Sequence, residues 1–139
     1  MDSKQYLNRF FVRLDKDEEI VENLKNFCKK NRIESGFLLG VGTVNNVILK
    51  FYNKNTKSYD KKVFTGDYEL IGLNGNITIQ NGENVLHIHV NIADNEFKTF
   101  GGHLDKAYTT MTCEIVVVQF ESPLDREFDN STGLNLLKF

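Results

Sequence analysis

A period of two runs through this chain and leaves it few folds to choose from. It is sharpest in Val85–Ile92 (VLHIHVNI), where Leu86, Ile88, Val90 and Ile92 alternate with His87, His89 and Asn91. Successive strand residues project to opposite faces, so the aliphatic set supplies a core side and the imidazoles lie on the side that need not be buried. Tyr6–Leu14 repeats the pattern, with Phe10, Val12 and Leu14 on one face and Phe11 and Arg13 on the other. Ser35–Val44, Val47–Tyr52 and Val63–Ile79 also read as strands, the last in two segments with Gly66, Gly72 and Gly75 at bends or bulges. Thr109–Phe120 is the longest β-branched run and is expected to be a central strand. Leu134–Phe139 reads as a short closing strand or docking segment.

One segment breaks the period. After Asp15, the residues Ile20, Val21, Leu24, Phe27 and Cys28 recur at helical spacing, and Lys29, Lys30 and Arg32 crowd the far end, where the helix dipole favours cations. Asp15 and Glu18 have the spacing of a capping box, which predicts Asp15 as the N-cap. Between strands, Asn45-Asn46 predicts a hairpin, Asn53–Asp60 a polar loop, and Asn81-Gly82 a tight turn into the histidine strand. The expected fold is therefore α+β and sandwich-like, with a central, mostly antiparallel sheet of about seven strands and one main helix. Residues 1–139 form one domain of sufficient length to bury a core without disulfide staples.

Composition narrows the function classes. Net charge is −2, a poor basis for nucleic-acid binding by phosphate neutralisation alone. No stretch is long enough and apolar enough to span a bilayer, Met1-Asp2-Ser3-Lys4 leads into no apolar signal segment, and Cys28 and Cys113 lack CxxC spacing. A cytoplasmic chain with free thiols is expected. Gly40-Val41-Gly42 lacks the rest of a dinucleotide fingerprint, so these glycines are expected to bend a strand or admit a neighbouring backbone.

All three histidines, His87, His89 and His103, fall within Val85–Leu104. Imidazoles two residues apart on a strand stand about 7 Å apart along the chain and can lean toward one ion. A three-residue loop at Asp94–Glu96 would set His103 across from His87, and a loop two residues longer would set it across from His89. Either register gathers three imidazoles on one patch, a ligand set suited to zinc or another divalent metal. Gly101-Gly102 would let the returning strand bulge or approach another backbone. Two acids interrupt apolar strands, Glu69 and Glu114. Each is a candidate proton-transfer group if the metal is catalytic, and Glu69 is also a candidate partner for an imidazole N–H or an arginine.

The combination Glu69-Leu70, Leu73-x-Gly75-Asn76-Ile77, Leu86-His87-Ile88-His89-Val90, Gly101-Gly102-His103-Leu104 and Glu114 resembles the plants-and-prokaryotes conserved (PPC) domain, over about Arg13 to Val118. The resemblance implies a homotrimer, and in stand-alone prokaryotic members a metal site, usually taken as zinc, formed by the three histidines. It also implies DNA as a possible partner, because plant members carry AT-hook segments; this chain has no Arg-Gly-Arg-Pro core. His-x-His followed by Asp94 also resembles the cupin pattern, but the glutamate and the glycine-proline segment of that pattern are absent. Two functions follow as expectations. One is a trimeric, metal-binding, DNA-associated or regulatory protein. The other is a zinc-dependent hydrolase or lyase acting on a small molecule through an open fourth position.

Overall fold

The structure is a computed structural model and describes residues 1–139. Its elements run β1 (Asp2–Tyr6), β2 (Arg9–Asp15), α1 (Ile20–Asn31), β3 (Gly36–Asn53), β4 (Ser58–Gln80), β5 (Glu83–Ala93), β6 (Thr99–Gln119), β7 (Arg126–Asp129) and β8 (Leu134–Leu137). The main sheet is antiparallel and ordered β1-β2-β6-β3-β4-β5, and β7 pairs with β8 alone. The α+β class and the single helix agree with the sequence reading. The sheet has six strands rather than about seven, because the C-terminal pair forms a sheet of its own.

Three strands are much longer than their sequence segments suggested. The expected hairpin at Asn45-Asn46 is a bulge inside β3: the register shifts between Asn45 and Val47, and Asn46 holds a left-handed φ of 45°. The chain turns back instead through residues 54–57, so half of the predicted Asn53–Asp60 loop is strand. Val63–Ile79 is likewise one segment within β4. Bulges let such strands bend without losing their partners. Here they bend far enough for β5 to pair with β6 as well as with β4, which closes β3, β4, β5 and β6 into a ring.

The core fills the concave side of this curled sheet. Phe10, Val12 and Leu14 meet Leu38, Leu73, Ile77, Ile88, Val90, Ile92, Ile115 and Val117, and α1 adds Ile20, Leu24, Phe27 and Cys28. The helix begins later than expected. Asp17 takes φ 67°, which interrupts the helical path, and Glu19 is the N-cap, its carboxylate accepting from the Val21 and Glu22 amides. Half of the predicted box survives outside the helix, where Glu18 Oε2 accepts the Asp15 N–H at 2.7 Å. Gly42 confirms the backbone role read for Gly40-Val41-Gly42, since a Cβ there would stand 2.4 Å from the Thr112 carbonyl oxygen. No helix is long and apolar enough to cross a membrane.

Candidate metal centre

The loop between β5 and β6 sets the site. It spans residues 94–98, and Asp94 Oδ1 accepts from the Glu96 and Lys98 amides, both at 2.9 Å. This is the longer of the two loops considered. It places His89 directly opposite His103, with Val90 facing Gly102 and Asn91 facing Gly101. On the other side of β5, His87 faces Asn76 and His89 faces Asn74. His103 in turn faces Lys50 across β6 and β3. Gly75, between the two asparagines, lets β5 lie close, because a Cβ on it would sit 2.3 Å from the His87 carbonyl oxygen.

The three imidazoles converge on the outer face of the sheet. Ring centroids are 5.1 Å apart for His87–His89, 5.3 Å for His87–His103 and 5.4 Å for His89–His103. One ligand nitrogen from each lies within 4.8 Å of the others, and the Nε2 atoms of His87 and His89 are 3.2 Å apart. Nitrogens about 2.0–2.1 Å from a tetrahedral ion stand about 3.3 Å from each other. The closest pair already has that separation, and the third nitrogen, within 4.8 Å of the others, needs to close by at most about 1.5 Å. No aspartate, glutamate or cysteine joins this group.

The electrostatics suit a metal ligand set, which requires neutral imidazole. Burial, with the neighbouring imidazoles and the Lys50 charge, pushes His103 down to about 4 against a weaker upward pull from Asp105. Burial also lowers His87, helped by His89 and Arg126. Around the rings stand groups that no local motif announced. Tyr59 lies with its ring 5.6 Å from that of His103, and Lys50 Nζ lies 5.6 Å from the centre of Tyr59. Asp105 is bonded by Lys50, and by Lys61 at 2.9 Å. Arg126 donates to Asn76 Oδ1 and Thr78 Oγ1, both at 2.8 Å, and to the Asn135 carbonyl at 2.9 Å.

The two candidate acids lie elsewhere. Glu69 is exposed and faces Ala93, four residues along β5 from His89, or about 13 Å of strand. Glu114 is exposed opposite Val41, toward the far end of β6 from His103. They border a shared recess with Thr43 and Thr112. A recess of about 630 Å³ lies between Asp17, Asp67, Glu69 and Asp94, and none of the histidines lines it.

The fold and the site define a class: a curled antiparallel sheet with one helix, carrying a cluster of three histidines on its outer face. The chain belongs to the Plants and Prokaryotes Conserved (PCC) domain family, whose model matches residues 1–121. Among solved structures, it is similar to a "putative DNA binding protein" of Bacteroides thetaiotaomicron, at 33% identity and TM-score 0.97 over 99% of this chain and 96% of that one. It is also similar to a metal-containing protein of Archaeoglobus fulgidus, at 27% identity and TM-score 0.89 over 99% and 96% of the two chains. A curated relative, the bifunctional protein GlmU of Synechococcus sp. (strain JA-3-3Ab), is 28% identical over 127 residues. That match takes in 88% of this chain, which spans about a fifth of the relative's length (19%).

Proposed function

We propose that this chain is a homotrimeric protein that binds one divalent metal ion per subunit, zinc by preference, through His87, His89 and His103. The convergence of the three ligand nitrogens within 4.8 Å carries the reading. The Archaeoglobus protein, described as metal-containing, supports it. A bound ion of this kind would supply a Lewis acid, and the chain's own residues favour the neutral form of His87 and His103 and set all three imidazoles in register.

Self-association is supported by the same outer face. Phe11, Val116 and Leu39 form one row across β2, β6 and β3, with Val118 and Phe37 in the row on one side and Val41, beside Glu114 and Arg13, in the row on the other. Phe11, Leu39 and Val41 are 57%, 56% and 54% exposed, an apolar strip of the kind that oligomers cover. Two further readings have an observation each. The likeness to the Bacteroides protein favours DNA as a partner. A ligand group with no fourth protein member favours a hydrolase or lyase with an open metal position.

Metal analysis of protein purified without a histidine tag tests the reading. Close to one divalent ion per chain is expected, falling below a tenth of that in His87→Ala and His103→Ala. Sedimentation should give three chains per particle, and Leu39→Glu should release monomers. Full metal content in both histidine variants would overturn the site. If DNA is a partner, binding should weaken steeply with salt and survive the histidine substitutions.

A further inference from the structure

We propose that the metal of this site takes a small-molecule oxyanion, a carboxylate or phosphate group, whose charge is met by Arg126 on one flank and Lys50 on the other. This rests on the metal reading above and deepens it.

The argument begins with charge. Three neutral imidazoles bring none, and no carboxylate joins the ligand group, so a divalent ion there keeps its full charge. The surroundings add to it. Lys50 stands directly across from His103, and Lys61 faces Lys50 on the next strand. Arg126 is bonded to Asn76, the residue directly across from His87. Against these three cations the near neighbourhood sets Asp105, which both lysines already hold. Three positive groups less one negative leave an excess of two before the metal's own charge is counted.

Arg126 is the most telling of these groups. Its guanidinium is half-buried, and all three of its acceptors are neutral: Thr78 Oγ1, Asn76 Oδ1 and the Asn135 carbonyl. No carboxylate pairs with it. A guanidinium has five N–H donors, so two remain uncommitted, in a planar fork that matches carboxylate or phosphate oxygens. A partly desolvated cation without a counter-ion is costly unless an anion arrives to share its field. Lys50 is likewise held in place, by Asp105 and by the Tyr59 ring. The two fixed cations flank one point rather than forming a stripe, which suits a single anionic group better than a run of backbone phosphates. His89 is exposed, so the site opens to solvent.

Cobalt(II)-loaded protein provides the test, because its visible spectrum reports the ion's ligands directly. Titration with acetate, and separately with inorganic phosphate, should produce a saturable spectral change with at least one of them. Lys50→Gln and Arg126→Gln should each raise the apparent Kd about ten-fold or more, the loss expected for one charge-assisted hydrogen bond. Arg126→Lys, which keeps the charge without the fork, should fall between. Cobalt uptake without added anion is measured first, and its failure would sink the metal reading itself. Normal uptake with no spectral response to either anion, or with affinities unchanged in both glutamine variants, would overturn this proposal alone. So would a short DNA duplex that saturates the response at lower phosphate concentration than the small anions.

Discussion

Gly75 shows how one missing side chain holds the site together. It faces Ile88 between the rows that carry His87 and His89, and an added Cβ would meet the His87 carbonyl oxygen at 2.3 Å and the Ile88 Cα at 2.9 Å. Both atoms are backbone, so no side-chain rotation relieves the clash. Gly75→Ala is expected to cost about 1–3 kcal/mol as overpacking and to push β5 away from β4 where His87 is mounted. The urea midpoint should fall at constant slope, and metal affinity should fall with it. An unchanged midpoint would show that β5 has slack there. The residue itself was legible as a break in a strand, but its role was not. A close approach depends on which backbone lies opposite, and that is decided by a partner strand. The same reason hid Lys50, Tyr59 and Arg126. Each is near the histidines only because β3, β4 and the C-terminal pair fold back onto them.

At the scale of elements, Asp94 decides the histidine geometry by choosing the length of a turn. Its carboxylate oxygen accepts two amides of the loop, and its own N–H donates to the Lys98 carbonyl at 3.1 Å. The five-residue loop follows from those bonds, and the His89–His103 pairing follows from the loop. Asp94→Ala should leave the Glu96 and Lys98 amides exchanging near solvent rates and weaken metal binding several-fold by loosening the register. Retained protection at both amides would show that Phe100 and Thr99, paired with Ile92 and Ala93, fix the register without the turn. Strands with a clean period of two were read correctly: β2 and β5 present the expected faces, and Thr109–Gln119 lies inside the sheet, as part of β6. Their continuations were not, because a bulge and a hairpin share one chemistry. Asn45-Asn46 satisfies the rules for a turn, yet the chain bends there and continues in the same sheet. The helix cap moved for a related reason. Asp15 and Glu18 do bond to each other, but Asp17 turns the chain before the helix can start, and Glu19 takes the capping position.

On the scale of the whole molecule, the metal would sit at the seam that closes the ring. β5 meets β6 over Ala93–His89 and Thr99–His103, the pairing that closes the ring of β3, β4, β5 and β6, and two of the three histidines face each other at its last step. An ion there ties the seam shut, so its binding energy becomes folding stability. A free zinc concentration a thousand times the Kd should add about 4 kcal/mol, seen as a higher Tm that a chelator reverses and that His89→Ala lacks. The increase should depend on pH in a definite direction. The folded chain holds His103 down to about 4 and His87 below its ordinary 6.5, so between those values the unfolded chain binds protons that the folded chain refuses. Stability without metal is therefore greatest above about 6.5 and falls as pH drops toward 4. The zinc increment should shrink over the same range, since protons compete with the metal for the imidazoles. Amide exchange in β5 and the start of β6 should slow most on zinc addition, while β1 and β2, remote from the seam, should follow only the global stability. Uniform slowing across all strands would mean that the ring opens only when the whole fold does, and protection confined to β1 and β2 would place the metal away from the histidines.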